Sequence, residues 1–95
     1  MENLEEKVLW CAMKYALALD EGDATEAVIF TLKPKISELS DQALIDMLTA
    51  VENYVQSGKL MAAKRFFIPE WDEVKAWLLR ERNERTERKR AQDES

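Results

Sequence analysis

Apolar residues recur every three or four positions along four stretches of the chain, which is the spacing of amphipathic helices. The predicted helices run from Leu4 to about Asp20, from Ala24 to Leu32, from Asp41 to about Gln56, and from Pro69 onward. A fifth, short helix is predicted over 59–67, although Phe66, Phe67 and Ile68 are equally compatible with an extended segment. After Leu79 the large apolar residues stop.

Polar residues and helix breakers lie where these helices should begin and end. Capping-box pairs are predicted at Asn3 with Glu6 and at Asp23 with Glu26, and Ser40 is the predicted N-cap of the third helix. Helix ends are predicted at Gly22 and Gly58. The two prolines are Pro34 and Pro69. Proline disfavours helical angles in the residue before it, so a break is expected near Lys33. Ahead of the third helix, Leu39 and Leu44 fit a hydrophobic staple.

The first helix is apolar around most of its circumference. One set of residues follows helical spacing: Leu4, Val8, Cys11, Ala12, Tyr15 and Leu19. Further apolar side chains widen the arc: Trp10, Met13 and Leu17. Such a helix is usually central or covered by a partner. A homodimer through residues 4–19, or through the Trp71–Leu78 face, is therefore one expectation.

The last helix changes character along its length. One face of this helix carries Trp71, Val74, Trp77 and Leu78. Residues 81–89 then repeat a Glu-Arg-x triplet three times, and Lys89 is the x of the last triplet. Glu81 and Arg85 are four positions apart, a spacing that allows an ion pair along the helix. The sequence predicts a helical domain over 1–79 and a charged, solvent-exposed extension over 80–95, with nothing after Leu79 to anchor it.

The composition favours helices over strands. The 95 residues include only two Gly and two Pro, too few for the tight turns of a β-rich fold of this size. We therefore predict an all-α fold, a compact bundle of four to five helices with a projecting C-terminal helix.

Charge is unevenly distributed along the chain. Residues 1–57 contain eleven acids and four bases, a net charge of −7, while residues 58–90 contain ten bases and six acids, a net charge of +4. The last five residues add −2, and the whole chain carries −5. This polarity is compatible with ordinary surface variation or with a partner that faces one half.

The residue types that most enzymes need are scarce. The chain has no histidine and one cysteine, which removes the usual general base and the usual zinc ligand sets. The two glycines lie too far apart for a phosphate-binding loop. We expect no enzymatic activity, no cofactor and no metal, and we expect Cys11 to be buried and inert. A lone cysteine and an acidic N-terminus favour a cytoplasmic protein without a membrane span.

Three functions remain open. The first is a protein-interaction or regulatory module, an adaptor or inhibitor, with these candidate contact residues: Trp10, Trp71, Trp77, Phe66 and Phe67. The second is nucleic-acid binding by residues 59–65 and 80–90, through Lys59, Lys64, Arg65, Arg82, Arg85, Arg88, Lys89 and Arg90. The third is an acidic decoy in which residues 1–57 occupy a basic groove of a host nucleic-acid-processing enzyme.

No motif in the chain assigns it to a family. The chain is short, charged and helix-rich, and its tail mixes acids and bases in the Glu-Arg triplets of residues 81–89. In these respects it resembles accessory proteins of bacteriophages and mobile elements. The resemblance is one of style.

Overall fold

A computed structural model describes residues 4–19, 22–60 and 70–94, and within these residues all regular structure is helical. The elements are α1 (Leu4–Leu19), α2 (Gly22–Leu32), a 3-10 helix (Lys33–Glu38), α3 (Asp41–Leu60) and α4 (Glu70–Glu94). The all-α class is therefore confirmed for the described residues. Most of the predicted fifth helix, over 59–67, lies outside them, and residues 59 and 60 belong to the end of α3.

The core lies between α3 and α4, with α1, α2 and the 3-10 helix packed around it. Its members are Leu9, Met13, Ala16, Val28, Leu32, Ile36, Leu39, Leu44, Met47, Leu48, Val51, Val55, Trp71, Val74 and Leu78. Trp71 is the largest side chain that is fully buried, and Tyr54 of α3 meets it edge to face at 6.2 Å between ring centroids. Each helix thus contributes an apolar stripe, as its periodicity predicts.

Helices α1 and α2 pair side by side and run in opposite directions. An ion pair fixes their register, since Lys35 Nζ lies 2.8 Å from Glu5 Oε2. The hydrogen bond to Lys35, together with its positive charge, lowers the pKa of Glu5, and the same contact raises the pKa of Lys35. Both groups face solvent, so the pair orients the two helices more than it stabilises them.

The connection from α2 to α3 is tied to α1 by a carboxylate. Pro34 stands in the first turn of the 3-10 helix, where its missing N–H costs no hydrogen bond, and α2 ends at Leu32 as expected. Ser40 caps α3, because its Oγ accepts the Ala43 N–H at 3.2 Å. Glu6 accepts both the Ser40 N–H at 2.8 Å and the Ser40 hydroxyl at 2.7 Å. Glu6 therefore supports the cap of α3, while Asn3, its predicted capping-box partner, lies outside the described residues.

Two predicted helix ends differ from the structure. Helix α3 continues through Gly58 to Leu60, since a glycine within a helix costs only about 1 kcal/mol relative to alanine. Helix α2 begins at Gly22, so Asp23 lies in its first turn instead of at its N-cap, and its charge still complements the helix dipole. The hydrophobic staple forms as predicted, with Leu39 and Leu44 both buried.

The expectation that nothing after Leu79 anchors α4 was wrong. Glu81 is buried, and Arg85 Nε donates to its carboxylate at 2.8 Å. The same guanidinium donates to Asp41 Oδ1 at 2.8 Å, and to the carbonyl oxygens of Ile36 and Ser37 at 3.3 and 3.4 Å. Burial alone would lower the pKa of Arg85, but the two carboxylates raise it overall and keep the charge. Arg85 therefore joins α4 to the 3-10 helix and to the start of α3.

Replacing Arg85 tests this junction. We expect Arg85→Ala to lower the free energy of unfolding by about 1–3 kcal/mol, because it removes the closer of two arginine contacts from the buried Glu81 carboxylate and takes one donor from each of two carbonyls. Arg82→Ala, an exposed change three residues away on the same helix, should stay within about 0.5 kcal/mol. Urea unfolding followed by circular dichroism measures both, and equal midpoints for the two variants would contradict the junction.

Candidate functional site

The face of α1 that carries most of its regularly spaced apolar residues is turned to solvent. Helix α1 buries Leu9, Met13 and Ala16 instead. The residues left exposed are Leu4 (74%), Val8 (62%), Tyr15 (64%) and Leu19 (45%), with Cys11, Ala12 and Ala18 between them. At 100° per residue these side chains form one continuous stripe. We call this set the α1 stripe.

Helix α2 extends the apolar surface beside the α1 stripe. Its phenyl side chain Phe30 is 83% exposed, the most exposed large apolar residue in the described part of the chain. Between the two helices runs a groove of about 510 Å³, with Val8 and Ala12 on one wall and Ala27 and Thr31 on the other. Phe30 was not among the contact residues predicted from the sequence. Its exposure could have been predicted, because Phe30 lies on the opposite side of α2 from Thr25, Val28 and Leu32, the residues that this helix buries.

Charged residues border this surface unequally. Lys7 and Lys14 lie along the edge of the α1 stripe that faces away from α2, seven positions apart in the sequence. The ammonium of Lys14 lies 5.0 Å from the centre of the Trp10 ring, a cation–π contact that holds it at this edge. On α2 the corresponding outer edge carries Glu26. The surface is thus an apolar strip with a basic margin along α1.

Cys11 is exposed, so the expectation that it is buried was wrong. It lies in the middle of the α1 stripe, next to the exposed Ala12. The helix is apolar on two sides, and the core takes the side that contains Met13. The thiol is therefore exposed because α1 is rotated about its own axis so that its other apolar side faces the core.

The three tryptophans have different environments. Trp71 is fully buried in the core, so it is not available as an interaction anchor, contrary to the prediction. Trp10 and Trp77 are partly buried at the edge of the core, and Lys33 lies 5.1 Å above the Trp77 ring. Phe66 and Phe67 lie outside the described residues. The Trp71–Leu78 face belongs to the core, which removes it as a dimer surface.

Much of the basic character of α4 is neutralised within the helix. Arg85 binds Glu81 and Asp41, Arg88 lies 3.2 Å from Glu81, and Arg90 lies 3.8 Å from Glu87. Arg82 and Lys89 are exposed. The other candidate bases, Lys59, Lys64 and Arg65, have side chains outside the described part. The structure therefore does not bring the two basic clusters together in one described surface.

Other surfaces of the described chain offer less. A depression of about 690 Å³ follows α4, and its described lining comes from that single helix and includes Arg80, Glu84 and Glu87. Among the described residues, no group of three or more Cys, Asp or Glu side chains is placed to hold a metal ion. No described helix combines the length and the apolar character that crossing a membrane requires.

Comparison with known proteins adds no relative. No protein family, no curated protein and no solved structure matches the chain. Function is therefore inferred from the surface formed by the α1 stripe and Phe30.

The different burial of two tryptophans has a measurable consequence. We expect Trp71→Ala to lower the free energy of unfolding by about 3–5 kcal/mol, since the whole indole leaves a closed core. Trp77→Ala should cost roughly 1–2 kcal/mol, because Trp77 already contacts solvent and Lys33 covers only one side of its ring. Guanidinium unfolding of both variants measures the difference, and a larger loss for Trp77→Ala would contradict these assignments.

Proposed function

We propose that this chain is a small protein-interaction module, of the adaptor or inhibitor type, that acts in the cytoplasm and binds protein through the α1 stripe and Phe30. The observation that supports it is the row of large apolar side chains on neighbouring helices, each about half exposed or more. Single exposed apolar residues are normal on protein surfaces. A contiguous row of them, bordered by charged residues, is typical of a docking surface.

The energetics of α1 support the same proposal. Covering apolar surface is worth about 25 cal/mol per Å² removed from water, and the isolated chain leaves Leu4, Val8 and Tyr15 largely uncovered. Small polar or charged residues at these positions would keep the helix and avoid the exposure. Apolar side chains on the outer face are therefore better explained by a partner than by folding.

The groove geometry indicates what such a partner presents. The groove between α1 and α2 is lined mainly by apolar side chains, with the small residues Ala12 and Ala27 on its two walls. A helix with an apolar stripe of its own fits a groove of this kind, by the helix-in-groove mode of recognition. We therefore expect a helical partner segment.

The two alternative functions receive less support. Nucleic-acid binding by α4 would have to compete with carboxylates that already contact Arg85, Arg88 and Arg90. The decoy hypothesis requires an acidic surface on residues 1–57, yet the largest exposed feature of that half is apolar and its α1 margin carries Lys7 and Lys14.

Site-specific photo-crosslinking in the native host cells tests the proposal. A photoreactive p-benzoylphenylalanine replaces Ala18, which is exposed at the border of the α1 stripe. We expect ultraviolet light to join this probe to protein in discrete adducts, because partner side chains come within reach of the border. The matched control places the same residue at Arg82, an exposed position on α4. Equal or absent adducts at the two positions would contradict the proposal, whatever the identity of the partner.

Binding to duplex DNA separates the first alternative. We expect no saturable binding of a short duplex up to tens of micromolar protein at low salt, because the chain carries −5 overall and several bases of α4 are paired with acids. Fluorescence anisotropy at several salt concentrations provides the measurement. Submicromolar affinity that falls steeply with salt would instead favour the nucleic-acid function.

A further inference from the structure

We infer that the α1 stripe is self-complementary, and that its occupant is the α1 helix of a second copy of this chain, packed antiparallel about a twofold axis near Cys11 and Ala12. This inference rests on the proposed function, since it takes the same surface as the docking site and adds the identity of the partner. It concerns the described helices α1 and α2 only.

The first support is the order of residues along the stripe. Four positions separate Leu4 from Val8, and four separate Tyr15 from Leu19, with Cys11 and Ala12 at the midpoint. Read from either end, the four large residues and the central pair therefore recur at the same spacing, whereas Ala18 has Glu5 at its mirrored position. In an antiparallel pair, Leu4 lies opposite Leu19 of the second copy, and Val8 opposite its Tyr15. Every large apolar residue of the stripe then meets another large apolar residue.

The second support is the order of side-chain sizes. Two small residues, Cys11 and Ala12, lie at the centre, and the four large residues lie toward the ends, with the small Ala18 beside Leu19. Two helices that cross at an angle are closest at the crossing point and diverge from it, with axes 8–10 Å apart at the contact. Small residues at the crossing point allow the close approach, and larger ones fill the widening space on either side.

The third support comes from α2. The Glu5–Lys35 ion pair sets the register of α1 against α2. Counting inward from this pair along both helices places Phe30 at the level of Cys11, and therefore near the same twofold axis. The two copies of Phe30, each 83% exposed, would thus approach each other and continue the apolar contact beyond α1. A twofold interface requires this kind of self-matching surface.

The arrangement also makes a prediction about charge that is independent of the apolar contact. An axis perpendicular to the helices brings the same edge of both α1 stripes together, so Lys7 of one copy lies near Lys14 of the other. Like charges at such flanking positions weaken helix pairing. Reversing one of them converts two repulsive contacts into two attractive ones.

The alternative twofold pairing places α1 over α2 of the second copy. In that arrangement Lys14 lies near Glu26 of the other copy, because the two residues lie at similar distances from the connection between α1 and α2. Reversal of Lys14 would then weaken the dimer. The sign of the effect of one substitution therefore distinguishes the two pairings.

Sedimentation equilibrium of the full chain with Lys14→Glu is the deciding measurement. We expect the native chain to dimerise at tens of micromolar, and K14E to dimerise about three- to tenfold more tightly. The double reversal K7E/K14E restores like charges and should return the dissociation constant toward the native value. Arg82→Glu, an exposed reversal on α4, is the matched control and should leave the constant unchanged.

The native cysteine reports the geometry directly. A short bismaleimide should join Cys11 to Cys11 of the second copy in high yield, and Val8→Glu, a change at an exposed position, should abolish both this product and the dimer while circular dichroism remains native. A cysteine moved to position 82 in a C11S background should give no such product.

Each contrary outcome has a distinct meaning. A monomer at all concentrations overturns the inference, but adducts of another protein at position 18 would still uphold the proposed function. A dimer that K14E weakens and that Cys11 does not crosslink overturns the antiparallel pairing. A dimer insensitive to Val8→Glu uses a different surface and overturns this inference.

Discussion

The rest of the structure depends on a constraint at α1, which is apolar on more sides than a chain of 95 residues can bury. A core of this size accepts one side of each peripheral helix. The side taken into the core contains Leu9, Met13 and Ala16, and a second apolar side stays in water. The exposed stripe is therefore a direct consequence of a helix with two apolar faces in a small domain.

The choice of face is set by charged residues as much as by apolar ones. Glu6 binds Ser40 at the start of α3, and Glu5 binds Lys35 beside α2. Both acids belong to the first turn of α1, so together they fix its rotation about its own axis. Turning the helix to bury Val8 would require breaking the Glu6 contacts, which support the cap of α3. The exposed stripe and the cap are thus coupled.

A second polar junction lies next to the first, at the start of α3. Arg85 reaches from α4 to Asp41 and to two carbonyl oxygens of the 3-10 helix, while Glu81 is buried beneath it. The Ile36 carbonyl also accepts the Leu39 N–H at 3.3 Å, so Arg85 adds a second hydrogen bond to the end of this short helix. One arginine therefore satisfies several groups that three different elements present.

Sequence periodicity and helix breakers were enough to determine the helical class, the positions of α1, α2, α3 and α4, and the break at Pro34, because these depend on local preferences of the backbone. The staple of Leu39 and Leu44 was predictable for the same reason. The face of α1 that is buried could not be predicted, since both faces satisfy the same periodicity. Nor could the roles of Glu6 and Arg85, whose partners lie 34 and 44 positions away at Ser40 and Asp41. Only the tertiary structure decided which apolar stripe stays in water, because that choice depends on contacts between helices and not on the sequence of any one of them.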